Sequence, residues 1–336
     1  MPIEPVSDSH RQISVVEPLS PAFERAKQML FQPFDIGKWF TIGFCAWLAG
    51  LGESGGSFNY SGNNFNGNNH HYGSAENFRE AYDQAHDYIL SNLYWLIPLV
   101  AFCVLFGLAF WIFLLWLNSR GKFMFLHCVA LNKAEVAEPW RKYAAPGLSL
   151  FWFRLVISLL GMLLTFPILG MIAFLILKMI LLGQPLVGAI LLSAGLFMII
   201  LVLAILFAVI QKFTVDFVVP IMYLRGATCL QAWEELWRLL CANPGLFMLY
   251  ILFQIVIGIA ISAIILCAVL LTCCTAFCVM MIPYIGTVLL LPILIFQRSF
   301  SLYFLRQFGP GYDVFPPTPP PAPAPAGLPP LPVAPV

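Results

Sequence analysis

Leu93 to Leu117 reads LYWLIPLVAFCVLFGLAFWIFLLWL and carries no charge. A helix needs about 20 mostly apolar residues to cross the hydrocarbon core of a bilayer. This run is longer than that and apolar on every face, unlike a core helix of a soluble protein. It therefore predicts a membrane span. Four more runs extend the pattern: Ser149 to Met179, Val187 to Ile210, Gly245 to Leu271 and Phe277 to Phe296. Ile36 to Leu51 is shorter and has Lys38 in its first turn, with a re-entrant or interfacial segment as the alternative. A span is favoured, because a lysine snorkels to the interface and a tryptophan such as Trp39 anchors there.

Composition agrees. The chain is 60% hydrophobic and 10% charged, whereas soluble domains carry about 25% charged residues. Lysine plus arginine total 17 against 16 acidic residues. So few charges cannot cover a globular surface, and no basic excess points to nucleic acid. Membrane lipids, and a protein partner or a second copy of the chain, are the expected contacts.

The basic residues cluster in alternate stretches. Arg11, Arg25, Lys27 and Lys38 precede or open the first span, and Arg120, Lys122, Lys133, Arg141 and Lys142 follow the second. Lys212, Arg225 and Arg238 follow the fourth, and Arg298 and Arg306 end the sixth. Arg79 and Lys178 alone fall between. An even number of spans with both termini in the cytoplasm satisfies this pattern. The expected fold is all-α, a polytopic membrane protein of six transmembrane helices in three hairpins with interfacial elbow helices. Residues 20–310 form that domain, between a flexible segment 1–19 and a disordered tail 311–336.

Local signals supply the elbows. Ser20-Pro21 predicts a helix start, with Phe23, Ala26 and Leu30 on one face. Thr228 and Gln231 fit a capping box ahead of Trp233, Leu236, Trp237 and Leu240. Both helices are expected to lie on the membrane surface, apolar side down. Ala134 to Ala145 is expected to do the same. Each runs through a proline into a span, with an aromatic six positions on: Pro33 to Trp39, Pro146 to Trp152, Pro244 to Tyr250. The order of elements reads as three copies of one unit.

Between the first two spans, Gly52 to Ser74 contains six Gly and six Asn. It lacks the apolar surface to offset ordering entropy and is expected to be flexible. The helix after it has an acidic face, Glu76, Glu80, Asp83 and Asp87, close to His86. Divalent-cation binding there competes with a plain solvated face, the favoured reading. Pro316 to Val336 holds 11 prolines and reads as polyproline II or disorder.

Little chemistry is visible. The nine cysteines show no CxxC spacing, and Cys267, Cys274 and Cys278 read as small apolar contacts rather than a metal or redox site. No nucleotide-binding, zinc-protease or serine-hydrolase motif occurs, so no catalytic residue, cofactor or metal is assigned and the chain is not expected to be an enzyme. Ionisable groups inside a bilayer are functional candidates. Here they are Arg154, Lys178, Lys212, Asp216 and Arg298, with Gln254 as an uncharged addition. Lys212 and Asp216, four apart, can pair on one helix face. Interfacial anchoring is favoured for the set, since none of the acidic residues reaches a secure midplane position.

DFVVPIMYLRGATCLQAWEELW (Asp216 to Trp237), PYIGTVLLLPILIFQRSFSLYFLRQFGPGY (Pro283 to Tyr312) and PFDIGKWFTIGFCAWLAGLGE (Pro33 to Glu53) resemble an uncharacterised family of bacterial multi-span membrane proteins. The layout is also similar to the membrane domain attached to some glycerophosphodiester phosphodiesterases, in which a Val-Pro like Val219-Pro220 precedes a surface helix. The resemblance covers most of the chain outside the Gly/Asn loop and the tail. It implies a bacterial inner-membrane protein and transfers no activity, because the phosphodiesterase catalytic domain is absent. Two functions remain open: a non-enzymatic organiser that interacts with partners or lipids, which is favoured, and a transporter or lipid-handling permease.

Overall fold

The computed structural model describes residues 13–32, 34–51, 87, 90–182, 187–272, 279–280 and 282–315. Among them every regular element is helical. In chain order these are α1 (Leu19–Phe31), α2 (Ile36–Gly50), α3 (Leu93–Leu131), α4 (Ala137–Lys142), α5 (Ala144–Leu182) and α6 (Val187–Phe213). A π-helical turn, Thr214–Val218, links α6 to α7 (Val219–Arg225). There follow α8 (Cys229–Ala242), α9 (Pro244–Leu271), α10 (Pro283–Leu289), α11 (Leu291–Arg306) and a 3-10 turn, Pro310–Tyr312.

Four helical stretches are long and apolar enough to cross a membrane: Leu93–Leu131, Ala144–Met179, Val187–Arg225 and Pro244–Leu271. They make this a multi-pass membrane protein. The other two expected spans are shorter pieces. α2 has 15 residues, about 22 Å of helix against a hydrocarbon core of about 30 Å. The last apolar run is divided at Leu290 into α10 and α11, where Pro292 supplies no N–H to extend the preceding turn.

Three of the long helices are buried at one end only, and the fourth also buries two residues along its length. In α3 the buried residues run from Leu115 to Ala130, while Ile97 to Phe110 is exposed. In α5 they are Gly147, Leu150, Phe151 and Arg154 near its start, in α6 Phe213 at its end, and in α9 Phe247 and Tyr250 near its start with Ile257 and Ile261 further along. These ends meet in one layer, here called the base, and the other ends project from it as apolar arms. Among the described residues every lysine and arginine except Lys178 lies in or beside the base. This is the expected clustering of basic stretches, now in three dimensions.

The arms pack sparingly. α5 and α6 form a hairpin along Gly161, Thr165, Ile168, Ile172 and Leu175 against Ala189, Ser193, Leu196, Ile200, Leu203 and Phe207, all half-buried. The alternating three- and four-residue steps are those of a coiled-coil seam. Gly161 leaves room for the Phe207 ring, 3.7 Å from where its Cβ would stand.

The base is densely built. α1 lies against α11, and α2 against α3 and α10. Gly121 lets α2 and α3 touch at the backbone, for a Cβ there would stand 2.6 Å from Ala49 N and from the Leu48 carbonyl carbon. Aromatic rings fill the centre. Phe217, Phe247, Tyr250 and Phe304 meet at centroid distances from 4.7 Å (Tyr250–Phe304) to 6.0 Å (Phe247–Phe304), in the tilted and edge-on geometries that aromatic quadrupoles favour.

Two local expectations change. α1 begins at Leu19, with Pro18 at the N-cap position, not at Ser20. Pro21 is tolerated within the first turn, where N–H groups lack intrahelical partners anyway. The elbow helices also differ in what covers their apolar faces. Ala22, Ala26, Met29 and Leu30 of α1, and Cys229, Ala232 and Leu236 of α8, are buried in the base. Phe23 and Trp237 remain exposed. The capping box of α8 is present, with the Thr228 N–H donating to Gln231 Oε1 at 3.1 Å.

The packed chain extends past the expected domain limits. Ser14 N–H donates to Gln307 Oε1 at 2.7 Å, Val314 is buried, and Phe315 stacks on Tyr303 at 4.5 Å. The Gly/Asn loop, His70, His71, His86, the acidic residues Glu76 to Asp83, Cys273, Cys274, Cys278 and the tail from Pro316 lie outside the described residues. Asp87, the last of the acidic set, is helical and exposed.

Candidate functional site

The five polar candidates, Arg154, Lys212, Asp216, Gln254 and Arg298, gather in the base, where they form two nodes that both draw on the end of α6.

The first node is centred on Arg154. Its guanidinium donates through Nη1 to Asn118 Oδ1, and through Nε to Gln211 Oε1 at 3.3 Å. Asn118 in turn donates from Nδ2 to the carbonyls of Ala49 and Leu51, at 2.7 and 2.6 Å. Those carbonyls end α2 and have no next turn to bond with. One side-chain amide therefore closes α2, and one guanidinium fixes that amide while reaching α6. Arg154 and Asn118 are both buried. Four helices are tied at one level, α5 to α3 and α6 by charge-assisted hydrogen bonds, the stronger kind, and α3 to α2 by neutral ones.

The second node is centred on Asp216, in the π-helical turn. Pro220 lies four residues on and donates no N–H to the Asp216 carbonyl, so the ladder of α6 is interrupted there. The widened turn carries the Asp216 side chain into the base, where it is buried. Lys212 Nζ lies 3.0 Å from Asp216 Oδ2, the i,i+4 pair expected from the sequence. Tyr250 Oη donates to the same oxygen at 2.9 Å, and Gln254 Nε2 donates to Tyr250 Oη, also at 2.9 Å. Arg298 Nη1 donates to the carbonyl of Val215. The node joins the α6–α7 junction to α9 and α11.

No sequence pattern marks Asn118, Gln211 and Tyr250 as the polar partners. Asn118 and Gln211 stand just past the uncharged part of their spans and read as ordinary interfacial residues. Lys178, the remaining ionisable candidate, is exposed on α5 away from both nodes. Thr165 Oγ1 donates to the Gly161 carbonyl of its own helix at 2.8 Å, and Gln254 bonds to Tyr250. The polar groups nearest the arms are thus turned toward their own neighbours.

A shallow groove of about 450 Å³ opens on the outer side of the base between Arg225, Gln231, Glu234, Glu235, Arg238 and Tyr312. Its charges cancel in pairs: Arg225 with Glu235 and Arg238 with Glu234. Tyr312 Oη also donates to Glu235 Oε1 at 2.7 Å, and burial together with that carboxylate holds its phenol above the usual range.

The extent of the matching sequence profile now settles kinship: one family covers residues 13–291. The chain belongs to DUF7544, a family of unknown function. The DUF7544 match runs from the residue beside Ser14 to Leu291, the first residue of α11. It includes Arg154, Asn118, Gln211, Lys212, Asp216, Tyr250 and Gln254, hence the first node whole and most of the second. Arg298 lies beyond it. No curated protein matches the chain, and no solved structure matches it.

Proposed function

We propose that this protein is a non-enzymatic membrane component that gathers lipids or partner helices around its arms. The observation that carries the reading is the nakedness of the spanning windows. In three of the four long helices no residue of the apolar window is buried, and in Pro244–Leu271 only 6% are. A span with no fully buried residue inside its own chain leaves most of its apolar surface for packing by lipid or by another helix. The base supplies rigidity. Its charges are tied to neighbouring side chains and carbonyls, which argues against a solute path through Arg154 or Asp216.

The experiment is native mass spectrometry of the full chain extracted from its own membrane, with a flux assay in proteoliposomes. Lipid or protein retained at a fixed ratio, with no solute flux above protein-free vesicles, is the expected result. A bare chain that conducts solute would support the transporter reading instead.

The same proposal puts the base on the cytoplasmic side of a bacterial inner membrane, with α2 and the α10–α11 pair completing six spans. The lysines and arginines around the base support that orientation. A tag at Gly62 should be reached by an impermeant label on intact spheroplasts and a tag at Pro325 should not; the opposite pattern would reverse the orientation.

A further inference from the structure

The tightest set of metal-type donors among the described residues stands apart from both nodes, where the end of α3 meets the loop into α4. His127, Glu135 and Glu138 each place one ligand atom within 4.8 Å of the other two. His127 is 1% exposed. Its Nδ1 lies 3.1 Å from Tyr223 Oη, while its Nε2 is buried without a hydrogen-bond partner, as is Glu135 Oε2. Two buried polar atoms left unsatisfied within one set of donors are costly in a folded protein and call for an explanation. A shared cation satisfies both at once.

We propose that His127, Glu135 and Glu138 bind one first-row divalent cation, such as zinc. Imidazole and carboxylate donors suit these ions, whereas calcium and magnesium prefer oxygen alone. Three donors about 2.1 Å from a tetrahedral ion stand about 3.4 Å apart, so a set within 4.8 Å closes with carboxylate movements of up to about 1.4 Å. The exposed carboxylate of Glu138 can supply them. Water fills the remaining position or positions. Tyr223 holds the other imidazole nitrogen, the kind of outer partner that fixes the ring of a metal-bound histidine. Lys133 and Lys142 are the cations facing the set. Both are exposed, and Lys133 Nζ, 3.7 Å from Glu135 Oε1, can swing into water when the ion enters. Cys128 is not a ligand, because its thiol is directed to the Glu135 carbonyl and to Cys45.

The ion would join α3, the 132–136 loop, α4 and, through Tyr223, α7. The test is titration of the chelator-stripped full chain in detergent with cobalt(II), followed by displacement with zinc. One cobalt per chain is expected, with d–d bands and no thiolate charge-transfer band. Glu138→Gln, at an exposed position, should weaken uptake at least about tenfold, and Tyr223→Phe, a positioning change, about tenfold. Equal uptake by wild type and Glu138→Gln, no saturable uptake, or a thiolate band would overturn the proposal.

Discussion

The two halves of α3 are one helix in two environments. From Ile97 to Phe110 its side chains are exposed, with Phe102, Phe106 and Phe110 stacked along one side at 6.2 and 6.5 Å. From Asn118 to Ala130 the side chains are mostly buried and touch α2, α4, α5 and α7. Both halves are helical, so helicity is not the difference. In the arm, lipid is as good a neighbour as leucine, and nothing selects a unique partner. In the base, aromatic rings, an asparagine and an arginine fix distances and directions. The fold is specified by the base, and the arms inherit their starting positions from it.

Two glycines on that helix make the contrast measurable. Gly121 meets the backbone of Ala49 and Leu48, whereas Gly107 has nothing within 4 Å of its would-be Cβ. Gly121→Ala should have the largest effect, because backbone cannot step aside as a side chain can. α2 must move, and the Asn118 bonds to Ala49 and Leu51 must stretch with it. Overpacking costs about 1–3 kcal/mol, and the upper end is expected. The measurement is the melting temperature of the detergent-purified chain by tryptophan fluorescence. A wild-type melt would remove the evidence that the α2–α3 contact organises the base.

Asp216→Ala comes next. It removes the acceptor of Tyr250 Oη and the partner of Lys212. Breaking a buried ion pair costs about 3–5 kcal/mol, but Lys212 is 44% exposed and water screens it. A loss of about 1–3 kcal/mol follows. Asp216→Asn keeps an acceptor for the tyrosine and should lose less. If the two variants melt alike, the Tyr250 hydrogen bond contributes little and the second node holds the helices by packing alone.

These two sites differ in how much of them sequence could disclose. Lys212 and Asp216 share one helix, so their spacing was enough to pair them. The Thr228–Gln231 cap and the four long spans were legible for the same reason: each is a local pattern. The partners of Arg154 were not, because Asn118 and Gln211 belong to other helices and their meeting depends on how α3, α5 and α6 cross. The face of α1 shows the same limit. Periodicity revealed that Ala26 and Leu30 share an apolar side, but it is silent on whether lipid or protein covers it, and here α11 does. The division at Leu290 was foreshadowed only by Pro292, and prolines also occur inside unbroken spans, as Pro98 does in α3.

The smallest effect is expected in the arm, and it tests the comparison from its other side. Gly107→Leu adds a large apolar side chain to a position with open space around it. Nothing in the chain has to move, and replacing glycine inside a helix gains up to about 1 kcal/mol from propensity. The purified chain should therefore melt at or slightly above the wild-type temperature. A fall as large as that of Gly121→Ala would mean that Gly107 is already covered, and the division between packed base and bare arm would fail at that point. Retained stability with loss of a co-purifying lipid or protein would sharpen the division instead. It would locate on the arm a contact that is made outside the chain, since the base, with its own helices fixed to one another, would be untouched.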